Sequence, residues 1–299
     1  MEIVVFGAGS LGSLVGGMLS RTHDVTLVGR EGHVRQVQNE GLSIVGEIDE
    51  TVRPAATTDG TGLDADLAVV TVKSYDTEAA ANALATGTID TVLSLQNGLG
   101  NEALLATPLD CPVLAGTASY GAMLERAGRI RCTGVGEITL GDRTGGESAL
   151  AERVAVSFAD AGLAVTAATD MPLRLWRKLA VNAGINPLTA LASVENAAVL
   201  EPPGRDVAER AACETARVAR AHGIELGDGD ATETLASVAR ATATNTSSML
   251  QDVNANNRTE IDAIGGEIVE RGTATGVDTP TVETLTNAVR SWERARDLR

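Results

Sequence analysis

"EIVVFGAGSLGSLVGGML", residues Glu2 to Leu19, decides how the first half of the chain is read. Ile3 to Phe6 is a short unbroken apolar run, the pattern of a strand buried on both faces of a parallel sheet. Gly7, Gly9 and Gly12 follow in G-x-G-x-x-G spacing. Leu11, Leu14, Val15, Met18 and Leu19 then recur at helical intervals. Strand, tight turn and helix in this order read as a dinucleotide cradle. Gly7 permits the turn, Gly9 lets the backbone approach a pyrophosphate, and Gly12 lets helix and strand pack closely. Ala8, Ser10 and Leu11 complete the cradle, and the helix N-terminus attracts phosphate. The alternative is a nucleotide-free doubly wound domain with a glycine turn.

Further strands extend the pattern. "HDVTLVGR" supplies a second one, Val25 to Val28, ending at Gly29-Arg30. An NAD binder usually places an acidic residue there to hold the ribose 2′-OH, whereas an arginine suits a 2′-phosphate. NADP, as NADPH, is therefore the expected cofactor. Glu31 next door leaves NADH open. Strands expected at Leu67 to Val72 and Val92 to Leu95 end in Lys73 and Asn97. Open parallel sheets bind ligands beyond such carboxyl ends. "CPVLAGTASYGAML" and "RIRCTGVGEITLGD" alternate as strands do. A helix is expected near Ala149 to Ala161, and a last strand near Leu163 to Val165. The segment between the second strand and "ADLAVV" carries no specific match.

After Asp170 the β-branched runs thin out and alanine-rich helical periodicity takes over. The expected fold is α/β: a Rossmann-type doubly wound domain over residues 1–168, then an all-helical domain over 169–299. "WRKLAVNAGINPLTAL" places Lys178, Asn182 and Asn186 at intervals of four, on one helix face. Pro187 is expected to end or kink that helix at Asn186. The stretch is otherwise apolar, and a buried lysine needs a partner, so the face reads as a structural network or as a site. Ser248, Asp252, Asn256 and Glu260 also fall at intervals of four. Asp252 and Asn256 read as a solvated helix face. On one straight helix Ser248 and Glu260 would stand about 18 Å apart.

Composition narrows the function. Acidic residues outnumber basic ones 40 to 24, giving a net charge of −16. Phosphate and anionic membrane surfaces would be repelled, so neither nucleic acid nor membrane is an expected partner. No run of 18 apolar residues is available to span a bilayer, and the N-terminus lacks the basic region of a signal peptide. A cytoplasmic location is expected. Lys73 and Lys178 are the only lysines. An acidic, lysine-poor chain with 2% aromatic residues reads as halophilic, since concentrated salt screens its surface charge. An ordinary acidic protein from a high-GC genome is the alternative. Cys111, Cys132 and Cys213 have the spacing of neither a zinc site nor a disulfide framework, so no metal is expected.

"GAGSLG", "WRKLAVNAGINPLTAL" and "SSMLQDV…TEIDAIGG", in this order and with "VKSYDT" and "LQNGLG" between, resemble the ketopantoate reductase (2-dehydropantoate 2-reductase) family over essentially the whole chain. The resemblance implies NADPH-dependent reduction of a small 2-oxo acid, 2-dehydropantoate, to pantoate, a step toward pantothenate and coenzyme A. It implies a cleft between the two domains. It makes Lys178 the proton donor, with Glu260 a second catalytic candidate. Asn182, Asn186, Asn196 and Ser248 become substrate-side residues. Lys73, Asn97, Ala122 and Glu260 become cofactor-side residues, with Asn97 touching both ligands. A lysine ammonium can polarise a carbonyl and then give up its proton, which arginine cannot do. That accounts for a lysine in a chain that otherwise avoids lysine. Two other readings stay open: a related dehydrogenase of another 2-oxo or 3-hydroxy acid, and a non-catalytic dinucleotide sensor. A homodimer also stays open.

Overall fold

A computed structural model describes residues Met1–Arg299. The chain divides into two units. The first is Met1–Gln96 with Gly100–Met171, and the second is Asn97–Leu99 with Pro172–Arg299. Asn97–Leu99, expected in the first domain, thus belong to the second unit.

The first unit opens with β1 (Glu2–Phe6), α1 (Ser10–Leu19), β2 (Asp24–Val28) and α2 (Glu31–Glu40). β3 (Leu42–Gly46), β4 (Glu50–Val52), β5 (Ala55–Thr57), β6 (Leu67–Val70), α3 (Thr77–Leu84) and β7 (Val92–Ser94) follow. α4 (Asn101–Ala106), β8 (Val113–Ala118), β9 (Gly121–Arg126), β10 (Arg129–Gly134), β11 (Ile138–Asp142), α5 (Ala149–Asp160) and β12 (Val165–Ala167) complete it. The main sheet has the order β12-β11-β8-β7-β6-β1-β2-β5. From β5 to β8 every pairing is parallel; β11 runs antiparallel to β8. The order reverses at β1, which lies between β2 and β6, and that is the switch point at which doubly wound sheets bind ligands.

β1 is apolar from Ile3 to Phe6 because both faces of that stretch are covered. Ile3 and Val5 join Leu27, Val69 and Leu93 in one core with α1 and α5. Val4 joins Ala68, Val70 and Val92 in another with α3 and α4. α1 itself is held between two sheets. A Cβ on Gly16 would lie 2.4 Å from Leu27 Cδ2 in the main sheet, and one on Gly17 would lie 2.9 Å from Ile44 Cδ1 in a second sheet. This close approach explains glycines inside a helix, where each costs about 1 kcal/mol relative to alanine.

The second sheet has the order β4-β3-β10-β9, and its β3 and β4 lie between β2 and β6, where the sequence offered no specific motif. Its signal was present in "LSIVG", where Leu42 and Ile44 alternate inward. Three strand ends differ from expectation. β6 stops at Val70 because Thr71 turns to the glycine loop, donating its N–H to the Phe6 carbonyl and its hydroxyl to that of Gly7 at 2.9 and 2.8 Å. β7 stops at Ser94. The last strand begins at Val165 instead of Leu163, which is buried in the turn after α5.

In the second unit α6 (Met171–Ala192), α7 (Gly204–Ala221) and α8 (Asp228–Ala241) are followed by α9 (Ser248–Asn254), α10 (Glu267–Thr275) and α11 (Pro280–Arg294). Of the two outcomes expected at Pro187, an end or a kink, the end does not occur: α6 continues through it to Ala192. A mid-helix proline costs about 3 kcal/mol. Burial of Leu175, Trp176, Leu179, Val181 and Ile185 along the same helix outweighs this, at about 1.5–3 kcal/mol for each large side chain. The Thr189 hydroxyl also ties the turn, reaching the Ile185 and Asn186 carbonyls at 2.8 and 3.2 Å. No helix in the chain is long and apolar enough to cross a membrane.

Candidate active site

The candidate residues fall into two groups, one in each unit. In the first unit the glycine turn follows β1 at the switch point. Gly7 has φ +114°, and a Cβ there would lie 2.6 Å from the Val72 nitrogen. A Cβ on Gly12 would lie 2.2 Å from the Gly7 carbonyl oxygen and 2.4 Å from Thr71 Oγ1. Both glycines are required by the protein's own packing. Gly9 differs: a Cβ there would meet nothing closer than the Gly7 oxygen at 4.0 Å. Gly9 also begins α1 with no side-chain cap, and no acidic residue lies in the first turn. The amides of Ser10, Leu11 and Gly12 are therefore open to an anion, and the helix dipole favours one. This cradle fits a pyrophosphate.

Arg30, exposed at the N-terminus of α2, makes no ion pair of its own, whereas Glu31 pairs with Arg35 one turn along. Lys73 caps a single turn of 3-10 helix, Ser74–Asp76, beyond the end of β6. Ala122 lies on β9 opposite Cys132, and two residues along, Leu124 N–H donates to Ser10 Oγ at 3.0 Å. β9 is thereby tied to the glycine turn.

In the second unit Lys178 lies in the middle of α6. Burial lowers its pKa to about 8, against the pull of the Glu260 carboxylate, which favours the ammonium. Glu260 is itself buried and accepts a hydrogen bond from Asn97 Nδ2 at 3.2 Å. Gly98 packs against Ala263, where a Cβ would lie 2.5 Å from the Ala263 oxygen, and Leu99 N–H donates to that same oxygen at 3.2 Å. Lys178, Glu260 and Asn97 therefore form one group.

Asn186 reaches Ser248 Oγ in a long contact of 3.5 Å. Asn182 is half-buried one turn from Lys178. Asn196 is buried against α8, donating to Thr242 Oγ1 at 2.9 Å while its Oδ1 has no protein partner. Ser248 and Glu260 do not share a helix. α9 ends at Asn254, Asn256 turns with φ +53°, and a π turn spans Asp262–Gly266. The separation along one straight helix therefore does not apply. Asp252, read as solvated, is buried; Asn256 is exposed and serves the turn.

Four supporting groups were missed. Thr71 holds the glycine turn. Gln96, next to Asn97 in the chain, is fixed by a bond from its amide to Thr77 Oγ1 at 2.7 Å, and the Thr77 hydroxyl donates to Asn101 at 2.9 Å. His33 accepts the Gly128 N–H on Nδ1 at 3.1 Å, so Nε2 carries the proton that meets Ser13 Oγ at 3.0 Å beneath α1. Glu293 binds Thr259, next to Glu260, at 2.7 Å. Only Thr71, a polar residue closing an apolar strand, left a signal readable in sequence.

Residues 3–145 match the family described as ketopantoate reductase PanE/ApbA, and residues 170–293 match its C-terminal domain. The chain is 43% identical to a 2-dehydropantoate 2-reductase of Halobacterium salinarum, over 98% of this chain and 99% of that relative. A solved PanE/ApbA family ketopantoate reductase from Ralstonia eutropha matches with TM-score 0.91 and 32% identity, over 99% of this chain and 100% of the other. A ternary structure of D-mandelate dehydrogenase with NADH and anilino(oxo)acetate matches with TM-score 0.93 and 26% identity, over the full length of both chains.

Proposed function

The chain belongs to the ketopantoate reductase family, and from that premise we propose that it reduces 2-dehydropantoate to pantoate with NADPH, Lys178 donating the proton. The observation that carries this reading is the half-buried Lys178 on α6, with the Glu260 charge acting on it and Asn97 bonded to that same carboxylate. A nicotinamide dinucleotide, when bound, supplies the hydride. The amides of the glycine turn would hold its pyrophosphate, and Arg30 would pair with the 2′-phosphate that distinguishes NADPH from NADH. Lys73 adds a compact positive charge on the cofactor side.

In the second unit Lys178 polarises the substrate carbonyl and passes its proton to the oxygen as charge develops there. Glu260 keeps Lys178 charged and holds Asn97 toward both ligands. Asn182, Asn186, Asn196 and Ser248 supply hydrogen bonds for the carboxylate and hydroxyl of the substrate. The donor is the protonated form, so turnover falls as pH rises through about 8. The reaction would serve pantothenate and coenzyme A synthesis in the cytoplasm.

A second reading, reduction of another 2-oxo acid, draws support from the likeness to D-mandelate dehydrogenase. NADPH oxidation with ketopantoate, pyruvate, 2-oxoisovalerate and phenylglyoxylate tests both. A kcat/KM for ketopantoate well above the others supports the first reading, and preference for phenylglyoxylate supports the second. Binding of NADPH with no turnover of any acid contradicts both. The net charge of −16 supports salt adaptation. The melting temperature should then rise steadily between about 0.1 and 3 M KCl as the Debye length shrinks. A flat or falling series rejects it.

A further inference from the structure

We propose that Glu293 is a positioning residue, fixing through Thr259 the backbone on both sides of Glu260 and so holding the carboxylate that acts on Lys178 and Asn97. This rests on the role given above to Lys178 and Glu260.

Glu293 lies near the end of α11, and its side chain is completely buried. Its Oε1 accepts the Thr259 N–H at 2.8 Å and the Thr259 hydroxyl at 2.7 Å. Thr259 Oγ1 in turn accepts the Ile261 N–H at 3.2 Å. The amides on either side of Glu260 therefore lead to one carboxylate. Glu293 Oε2 takes Arg299 at 2.5 Å, and Arg299 also reaches Asp262 at 2.7 Å. Asp262 further accepts from Arg290 at 2.9 Å. Burial opposes the charge on Asp262, but Arg299 and Arg290 outweigh it and hold its pKa below the usual carboxylate range.

The held segment needs an outside support. The chain from Ala255 to Thr259 belongs to no helix, and a π turn follows. α11 provides that support at close range, since a Cβ on Gly265 would lie 2.0 Å from Thr286 Oγ1. The opposite end of α11 is anchored separately. Glu214 accepts the Thr281 N–H at 3.0 Å and the Val282 N–H at 2.9 Å. Replacing a buried carboxylate and its partners with apolar residues is often neutral or stabilising, so stability alone does not explain Glu293.

The test uses the scarcity of lysine. Lysine labelled with 13C at Cε gives one signal each for Lys73 and Lys178, and a Lys73→Arg variant assigns them. In the wild-type chain the Lys178 signal should titrate near pH 8. Thr259→Val removes both hydroxyl bonds at nearly constant volume. It should lower that midpoint by about 0.5 unit or more as the carboxylate loosens and its charge acts less on the ammonium. Glu293→Gln should shift it the same way, and Thr259→Ser should restore it. Glu214→Gln, at the far end of α11, should lower the melting temperature without moving the midpoint. In a Glu260→Gln background Thr259→Val should add nothing.

An unmoved midpoint in folded Thr259→Val, an equal shift in Glu214→Gln, or an additive shift in the Glu260→Gln background would overturn the proposal. So would a wild-type Lys178 titrating at the ordinary lysine value. If Glu293→Gln does not fold, the milder Thr259→Val decides. The titration needs no substrate, so an error in the assigned substrate shows only in the turnover assay.

Discussion

The two units hold their polar groups by different means. The first relies on backbone: a turn whose glycines are set by packing, followed by an uncapped helix N-terminus. The second relies on side chains: Lys178 near Glu260, Asn97 on Glu260, and Glu293 on the segment that carries Glu260. A backbone site tolerates change wherever the cradle keeps its shape. A side-chain site depends on buried charges that each need a partner, and losing one partner leaves the other exposed to a low dielectric.

The glycine turn offers the largest effects on stability. Gly12→Ala forces a Cβ to within 2.2 Å of the Gly7 oxygen. It should destabilise the first unit by about 1–3 kcal/mol, the range for overpacking, and weaken dinucleotide binding as well. Gly9→Ala fills only open space, so it should leave the melting temperature unchanged and weaken dinucleotide binding alone. Thermal melts with fluorescence titration of NADPH separate the two variants. Equal melting losses would mean that Gly9 is also structural.

Arg30→Ala is expected to act on one cofactor only. Loss of a charged hydrogen bond at an exposed position should weaken NADPH by about 1.5 kcal/mol, roughly tenfold, and leave NADH nearly unchanged. An equal loss for both, or none for either, would remove Arg30 from the cofactor site.

A smaller effect concerns His33, whose pKa is lowered by burial. The folded chain keeps the imidazole neutral, while the unfolded chain takes up a proton near about pH 6.5. Below that pH the unfolded state binds more protons, so stability falls as pH falls, by at most about 1.4 kcal/mol per unit. Melting curves between about pH 5 and 7 should be flatter for His33→Gln than for the wild-type chain. An identical slope would show that His33 does not contribute.

The difference between the units also decides what could be read from sequence. β1, the glycine turn and α1 were legible because their signal lies in short spacing, and so was the face shared by Lys178 and Asn182. Gly16 and Gly17 depend on sheet residues far away in the chain, and β3 pairs with β10 across more than eighty intervening residues. Local rules also misled. Pro187 offered an end or a kink, and burial along α6 overrode the end. Asp252 lay on an apparently polar face, yet the helix carrying it ends at Asn254 and the side chain is buried. Glu293 gave no signal, because its meaning lies in Thr259, 34 residues earlier in the chain.

The most direct measurement is the pH dependence of kcat for NADPH-driven reduction of ketopantoate, in the wild-type chain and in Lys178→Ala. Wild-type kcat should fall through about pH 8 as one proton is lost from Lys178. Lys178→Ala should lose about 10² to 10⁴ in rate, bind NADPH nearly as before, and show no such fall. A near-normal rate in Lys178→Ala, or the same fall persisting in that variant, would contradict the assignment of Lys178 as the proton donor.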